Sequence, residues 1–553
     1  MKIKKVLFVF SISLMLLATF VLAAYAGCTI VGVGKDATVD GSVITSHTDN
    51  GSECRIQYIP AQDHPKGSMA PVHWGIVYFG QWFEHRANPL GEFGRKIGEI
   101  PQVEHTYAYL HSGYSHINEN QVAIGESTML MKPELDAVVD ICKQIMTIEQ
   151  AQAFALQRSK TAREALEVVT SLVEEYGFLP SCGGGEALCI ADPKEAWMLE
   201  IFSVGPDWDP ESGKPGAIWV ARRIPDDHVS VMANYSRIRE IDLNNPDIMA
   251  SDNYMQEAID RGWYDPDSGT PFIWQEAYSS HIIECRLARV WLAHTTFAPN
   301  YKEWPKRQII GPTTPSTIYD NVLEPISFYP FSFPPEKKLS VQDIISFQRS
   351  LYENTIYDVT ANPAWLVPDG DGGYVKSPLT TPYPTADMLA LLNIPRRKAH
   401  VSHDGYGMVA QLRDWLPDAI GGLYYVYLDK AIISTYMPIY AGVQEIHPLY
   451  QKYDFFKFEQ DSARWAIEFV QNLMYLNWQE SIKDVKAVRD PLENSWLAEQ
   501  EKIEQEALKL YNEDPMKAKE YLTKITKDRM EESHKMFVDL RYELLTKYKD
   551  SLY

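Results

Sequence analysis

Residues 28–51 read CTIVGVGKDATVDGSVITSHTDNG, two compact apolar runs on either side of a turn-forming segment. Ile30, Val31 and Val33 are β-branched and are closed by Gly34, while Lys35–Ser42 gathers the Asp, Gly and Ser that turns favour. The second run, from Val43 to Thr48, is again strand-like. Together they predict a hairpin whose first residue is Cys28.

What precedes the hairpin explains why a cysteine stands there. Lys2, Lys4 and Lys5 form a basic start, Val6 to Ala23 an apolar stretch, and Ala24-Tyr25-Ala26 a small-residue cleavage site. This is the three-part pattern of an export signal, residues 1–26, and places the mature protein in the periplasm, on the cell surface or in the medium. A retained membrane anchor is the alternative, because the apolar run is long enough to span a bilayer. The small-residue site and the lack of a basic flank behind it favour removal.

Two chemistries suit a cysteine that becomes the leading residue. One is lipid attachment; "YAGC" has the small residues, but Tyr25 stands where Leu is usual and no polar linker follows. The other is an N-terminal nucleophile. An α-amine titrates at about 7.7–8.0 and a thiol at about 8.5, so one residue carries both nucleophile and base. Cleavage after Ala26 leaves Gly27 in place, so this chemistry also requires its removal.

The remaining chain reads as a large globular protein. Of its residues 45% are hydrophobic and 12% aromatic, values that suit a buried core. Net charge is −22, or −25 without the three signal lysines, which argues against nucleic acid or an anionic membrane as partner. Strand patterns recur at "QVAIGESTML", "EALCIADP", "EAWMLEIFSVG" and, as a further pair, "GAIWVARRIPDDHVSVMANYSRI". Helical spacing marks "MTIEQAQAFALQ" and "TAREALEVVTSLVEEYG", the second closed by Gly177. Strands return at "GMVAQL", "GGLYYVYLD" and "IISTYMPIYAG". From Ser462 onward the pattern is helical, with Trp465, Phe469, Leu473 and Leu476 on one predicted face and Asp514-Pro515 opening a helix. This tail is read as a layer on its own domain, an oligomer-forming arm being the alternative. The expected division is 1–27 removed, 28–450 catalytic and 451–553 helical.

Other chemistries lack their motifs. The chain has no H-E-x-x-H, no G-x-S-x-G, no phosphate-binding loop and no strand-borne G-x-G-x-x-G. Its histidines, densest in "HSGYSHINEN", show no metal-ligand spacing. "DPDSG" and "PDGDGG" lack the glutamate that completes a calcium loop. Six cysteines are too few for a disulfide scaffold; Cys182 and Cys189 could close a small loop, and buried free thiols are the equal alternative.

The residues around Cys28 closely resemble the N-terminus of peptidase family C69, whose members begin with cysteine and continue through K-A-S/T-x-D-G-S. "NENQVAIGESTM" (118–129), "GGEALCIADPKEAWMLEI" (184–201), "WVARRIPDDHVSVMANYSRI" (219–238), "LYENTIYDVT" (351–360) and the stretch 410–442 resemble the family's later blocks, in order. The resemblance implies an α+β fold, the four-layer αββα sandwich of N-terminal nucleophile (Ntn) hydrolases with a helical C-terminal region. It implies hydrolysis of dipeptides or short peptides, without cofactor or metal, by Cys28 as nucleophile and its own amine as base. Asn234 would stabilise the oxyanion, and Arg237 and Arg413 are candidates for holding a substrate carboxylate. One departure stands out: the family's A-R-N/T-E-D reads S-H-T-D-N here. His47 falls where Arg is common, and Asn50 where an Asp contacts the nucleophile's amine, unless Asp49 takes that part. An acylase of non-peptide amides and a lipid-anchored binding protein are the competing readings.

Overall fold

The computed structural model describes residues 27–50, 54–74, 94–181, 183–280, 284–300, 329–355, 357–394, 405–454 and 457–549. The export signal and Cys182 lie outside these residues.

The expected hairpin forms, with β1 at Ile30–Val33 and β2 at Val43–Asp49 joined through a 3-10 turn at Lys35–Ala37. It is the centre of a seven-stranded antiparallel sheet, sheet one. Numbered along the chain, its other strands are β10 (Val229–Met232), β12 (Ser332–Phe333), β13 (Tyr406–Leu412), β14 (Leu423–Leu428) and β15 (Met437–Tyr440). The spatial order is β12-β10-β1-β2-β13-β14-β15. Sheet two has eight antiparallel strands: β3 (Gln57–Ile59), β4 (Tyr109–His111), β5 (Ser115–Asn118), β6 (Ala123–Met129), β7 (Gly185–Ala191), β8 (Ala196–Ser203), β9 (Ala217–Ile224) and β11 (Ile248–Ala250). They run β11-β9-β8-β7-β6-β5-β4-β3.

"GAIWVARRIPDDHVSVMANYSRI" therefore does not make a strand pair. Its halves are β9 and β10, which belong to different sheets, and Pro225–Asp227 carries the chain from one to the other. Both runs are apolar enough for either sheet, so the sequence pattern does not show the crossing.

The two sheets pack face to face, and glycines set how closely. A Cβ on Gly125 of β6 would lie 2.4 Å from the Ser46 carbonyl oxygen, and one on Gly32 of β1 would lie 2.5 Å from Ile224. β1, β2, β6, β7 and β8 are mostly buried along their whole lengths, as strands covered on both faces must be.

Helices cover the outer faces. α1 (Ile148–Arg158) and α2 (Ala162–Tyr176) lie on sheet two, where Phe154, Leu166, Val169 and Val173 pack with Leu188 and Trp197. Thr161 caps α2 by accepting the Glu164 N–H, and Gly177, at φ +72°, ends it. α3 (Glu284–Phe297) runs near β10, and α4 (Val341–Gln348) covers β2 and β13. α5 (Ala463–Met474), α6 (Trp478–Glu513) and α7 (Pro515–Lys547) complete the cover of sheet one. Asp514 caps α7 and Pro515 occupies its first turn, as the sequence suggests.

The buried face of α5 differs from expectation. Ala463, Ala466, Ile467, Val470 and Met474 face inward, while Trp465, Phe469 and Leu473 are half-buried and Leu476 is exposed. Two apolar stripes run along this helix, and the one with small alanines allows the closer approach to the sheet. The aromatic stripe instead packs on a flank against Phe458 and Arg541. The architecture is thus mixed α/β built on antiparallel sheets. One hydrophobic cluster runs from Ile30 in β1 to Leu544 in α7. Among the described residues no helix is long and apolar enough to cross a membrane.

Candidate active site

Cys28 lies just before β1, buried, where the hairpin is held in an unusual way. The β1–β2 ladder pairs Gly32 with Thr45 and Val33 with Ile44. Closer to Cys28, hydroxyls take over from the ladder: the Val31 N–H donates to Ser46 Oγ at 3.0 Å and the Thr29 N–H to Thr48 Oγ1 at 2.9 Å. The row of Ser and Thr in "ITSHT" thus fastens the segment carrying Cys28, together with one backbone bond from the Thr48 N–H to the Thr29 carbonyl at 3.1 Å.

The Cys28 sulfur lies 3.7 Å from Asp49 Oδ1. The same carboxylate oxygen accepts the Asn50 backbone N–H at 2.7 Å. Asp49 is the last residue of β2 and is buried, whereas Asn50 is exposed. The acidic group beside the sulfur is therefore Asp49, the alternative that the sequence offered to position 50.

The Cys28 main chain is gripped by Arg289 of α3. This buried guanidinium donates to the Cys28 carbonyl, to Thr29 Oγ1 at 2.9 Å and to Asn234 Oδ1 at 2.7 Å. Ser127 Oγ lies 3.5 Å from the same carbonyl and accepts the Asn234 N–H at 3.1 Å. Asn234 follows β10 and has φ +60°, in the left-handed region that Asn tolerates better than most residues. Its Nδ2 donates to the Thr128 carbonyl at 2.8 Å, and Arg286 donates to its own carbonyl. The Asn234 amide is thereby fixed in orientation, and one of its two N–H bonds is committed.

Sequence reasoning missed Ser127, Arg286 and Arg289. The last stands 261 positions from Cys28 and in no motif. A signal was present nonetheless. α3 reads ECRLARVWLAHTTF, with two arginines three residues apart on one face of an otherwise apolar helix. Buried guanidiniums need partners, and here those partners are Cys28 and Asn234.

The other candidates sit elsewhere. His47 is buried on β2, and its Nδ1 lies 2.8 Å from the Glu126 carbonyl and 3.1 Å from the Glu126 N–H. β5 pairs with β6 only at Ile117–Ala123, and the imidazole fills the gap that opens beyond. Burial lowers its pKa to about 4, so it is neutral. Arg237 donates to Tyr235 Oη at 2.8 Å and to the Pro330 carbonyl at 2.6 Å. Arg413 donates to the Gly421 and Ile420 carbonyls and pairs with Glu504 of α6 at 2.8 Å. It follows Leu412, which pairs with Val43, whereas Tyr406 pairs with Asp49. That separation amounts to roughly 20 Å of strand. The structure brings together Cys28, Asp49 and Asn234, and leaves Arg237 and Arg413 in pairings of their own.

Histidines 111 and 116 of "HSGYSHINEN" are buried, and His116 Nε2 lies 3.0 Å from Tyr406 Oη. Among the described residues no group of three or more His, Cys, Asp or Glu side chains is arranged to hold a metal ion. A cavity of about 570 Å³ lies on the outer face of sheet one, lined by Arg349, Tyr425, Tyr436, Arg489 and Trp496. Its walls come from α4, α6, β14 and β15 rather than from the segment around Cys28.

The model of peptidase family C69 matches residues 27–490. Among curated proteins, a "Probable dipeptidase" of Salmonella dublin is 25% identical over 432 residues, 76% of this chain and 82% of its own. A "Probable dipeptidase" of Latilactobacillus sakei is 24% identical over 77% of this chain and 76% of its own. A "Probable dipeptidase B" of Streptococcus pyogenes serotype M1 is 22% identical over 94% of this chain and 92% of its own.

Proposed function

The chain belongs to peptidase family C69 and is a peptidase, and from that premise we propose that it is an exported dipeptidase working by N-terminal nucleophile chemistry at Cys28. The observation that carries the reading is the Cys28 sulfur beside the Asp49 carboxylate, with the residue's carbonyl clamped by Arg289. The names of the relatives support dipeptides as substrates. Two antiparallel sheets between helical layers support the four-layer sandwich of Ntn hydrolases.

In this mechanism residues 1–27 are removed and the Cys28 α-amine becomes the general base. Asp49 orients that amine, and the amine takes the thiol proton as sulfur attacks the scissile carbonyl. The guanidiniums of Arg289 and Arg286 favour the negative charge that develops on sulfur and oxygen. The Asn234 N–H not used by Thr128 donates to the oxyanion. The amine then protonates the departing amino group, and water hydrolyses the thioester. The acidic group is Asp49 in this reading, with Asn50 contributing a backbone N–H that holds the carboxylate.

The mass of the mature N-terminus and two variants test this. A chain starting at Cys28, with an unmodified amine, is expected. Cys28→Ala should lower kcat on a dipeptide panel by at least about 10³-fold with the melting temperature retained, and Cys28→Ser should fall between the two. Full activity in protein that keeps Gly27, or an acylated Cys28 amine in active protein, contradicts the mechanism. Faster turnover of N-acyl amides than of dipeptides would make it an acylase.

A further inference from the structure

The cavity on the outer face of sheet one has no part in the mechanism above. Its floor follows from strand alternation: Tyr424 faces sheet two, where its ring stacks on His116, so Leu423 and Tyr425 of β14 turn outward. Pro438 and Tyr440 of β15 lie beside them, and Phe347 of α4 and Trp496 of α6 close the sides. The phenols are engaged at the edges. Tyr425 Oη donates to Gln500 at 3.0 Å, Tyr436 Oη to Gln348 at 2.8 Å and Tyr440 Oη to Glu504 at 3.4 Å, which leaves the rings as apolar wall. The volume of about 570 Å³ is that of a small-molecule site, for which roughly 300–1,000 Å³ is usual.

The charges lining it leave cations over. Glu493 pairs with Arg349 at 2.6 Å, and Asp490 pairs with Arg489 at 2.6 Å. Glu353 accepts the Leu351 N–H. Lys486 and Arg529 remain, the first exposed and the second, on α7, with only 6% of its side chain accessible. The Arg529 guanidinium lies 5.9 Å from the Trp496 ring. Its Nη2 donates to the Trp496 carbonyl at 3.1 Å and lies 3.6 Å from Glu499, which is 62% exposed and a weak partner for that reason. Among the described residues nothing accepts from its Nε or Nη1. A buried guanidinium in an apolar cavity with open N–H groups calls for an acceptor carrying one negative charge.

We propose that this cavity binds a small aromatic carboxylate, with the carboxylate on Arg529 and the ring among Tyr425, Tyr440 and Trp496. The apolar walls take the ring, and the open N–H groups of Arg529 take the charge. This site is separate from the one at Cys28. Cys28 meets Ser127 of sheet two between the sheets, whereas the cavity lies under α6 on the opposite face of sheet one. The proposal therefore stands independently of the reaction assigned to Cys28, and its test reads binding alone.

The test is calorimetric titration of the whole protein, wild type and Cys28→Ala, with 3-phenylpropanoate and with its neutral isostere 3-phenylpropanamide. The acid should bind both proteins with a dissociation constant of about 1 mM or tighter, and the amide about tenfold or more weakly. Arg529→Met keeps the apolar stem and should weaken the acid by about tenfold or more while leaving the amide within about threefold. Ser346, exposed on α4, lines the cavity without entering the core, so Ser346→Trp should block both ligands with the melting temperature retained. Absence of binding to wild type overturns the proposal, as does equal affinity for acid and amide. Acid binding that Arg529→Met leaves unchanged, or that persists in Ser346→Trp, places the ligand elsewhere and overturns it too.

Discussion

Cys28, Asp49, Asn234 and Arg289 come from four separate places in the chain, and each constrains the others. Arg289 joins the Cys28 carbonyl to the Asn234 side chain, so in the proposed mechanism it positions nucleophile and oxyanion donor as one unit. Arg289→Met keeps the apolar stem but removes the fork. The expected result is a fall in kcat of about 10²–10³-fold with little change in KM, measured by steady-state kinetics on a dipeptide. Unchanged kcat would show that Ser127 and the hairpin alone hold Cys28. Arg289→Lys should rescue only partly, because an ammonium cannot reproduce the bidentate geometry. At this scale Cys28 was legible in the sequence as the candidate nucleophile, because an export-like pattern ending at a cysteine is followed at once by a strand. The acidic neighbour was legible only as a choice between Asp49 and Asn50. Which of the two faces the sulfur depends on where β2 ends. Arg289 was hidden, since nothing local marks its partners.

The elements that carry these residues owe their spacing to glycine. Gly125 lets β6 approach β2 so closely that a methyl group would fall 2.4 Å from a backbone oxygen, which cannot rotate away. Gly125→Ala should push the sheets apart next to Ser127 and Glu126. The expected cost is about 1–3 kcal/mol of stability together with a loss of activity larger than that destabilisation accounts for. Thermal melting beside kinetics on the folded fraction checks both; a variant with normal melting and normal kcat would show that the gap is not so tight. Most elements were readable from periodicity and punctuation: β1, β2, α1, α2 and the start of α7 appear where the pattern places them. Two readings failed at the level of partners. β9 and β10 look alike in sequence yet enter different sheets, and α5 carries two apolar stripes of which the less bulky faces the core.

Across the whole molecule, burial of ionisable groups shapes the response to pH. Burial raises Glu149 from its ordinary 4.5 to about 7, so the folded chain holds that proton where the unfolded chain has lost it. Its contribution is complete below pH 4.5 and is lost as pH rises through 7. His47 and His111 move the other way, from 6.5 to about 4. Their contribution is complete above 6.5 and is lost as pH falls through 4. Glu149→Gln, which keeps an acceptor for Ser181 without the titration, should therefore gain stability relative to wild type between pH 5 and pH 8. The expected gain is about 1–3 kcal/mol, or a few degrees in melting temperature. Melting curves at the two pH values measure it, and a constant difference between the proteins would show that Glu149 does not titrate in that range.

The sequence by itself determined the hairpin led by Cys28, the export pattern before it, the family and most of the regular elements. Each of these follows from neighbours in the chain, through side-chain period, turn residues and capping. Only the tertiary structure decided that Asp49 is the carboxylate at the sulfur, that Arg289 and Ser127 meet the Cys28 carbonyl, and that Arg237 and Arg413 are engaged elsewhere. The reason is physical: local pattern reports which face of an element is apolar, whereas the partners of a buried charge are set by which faces meet.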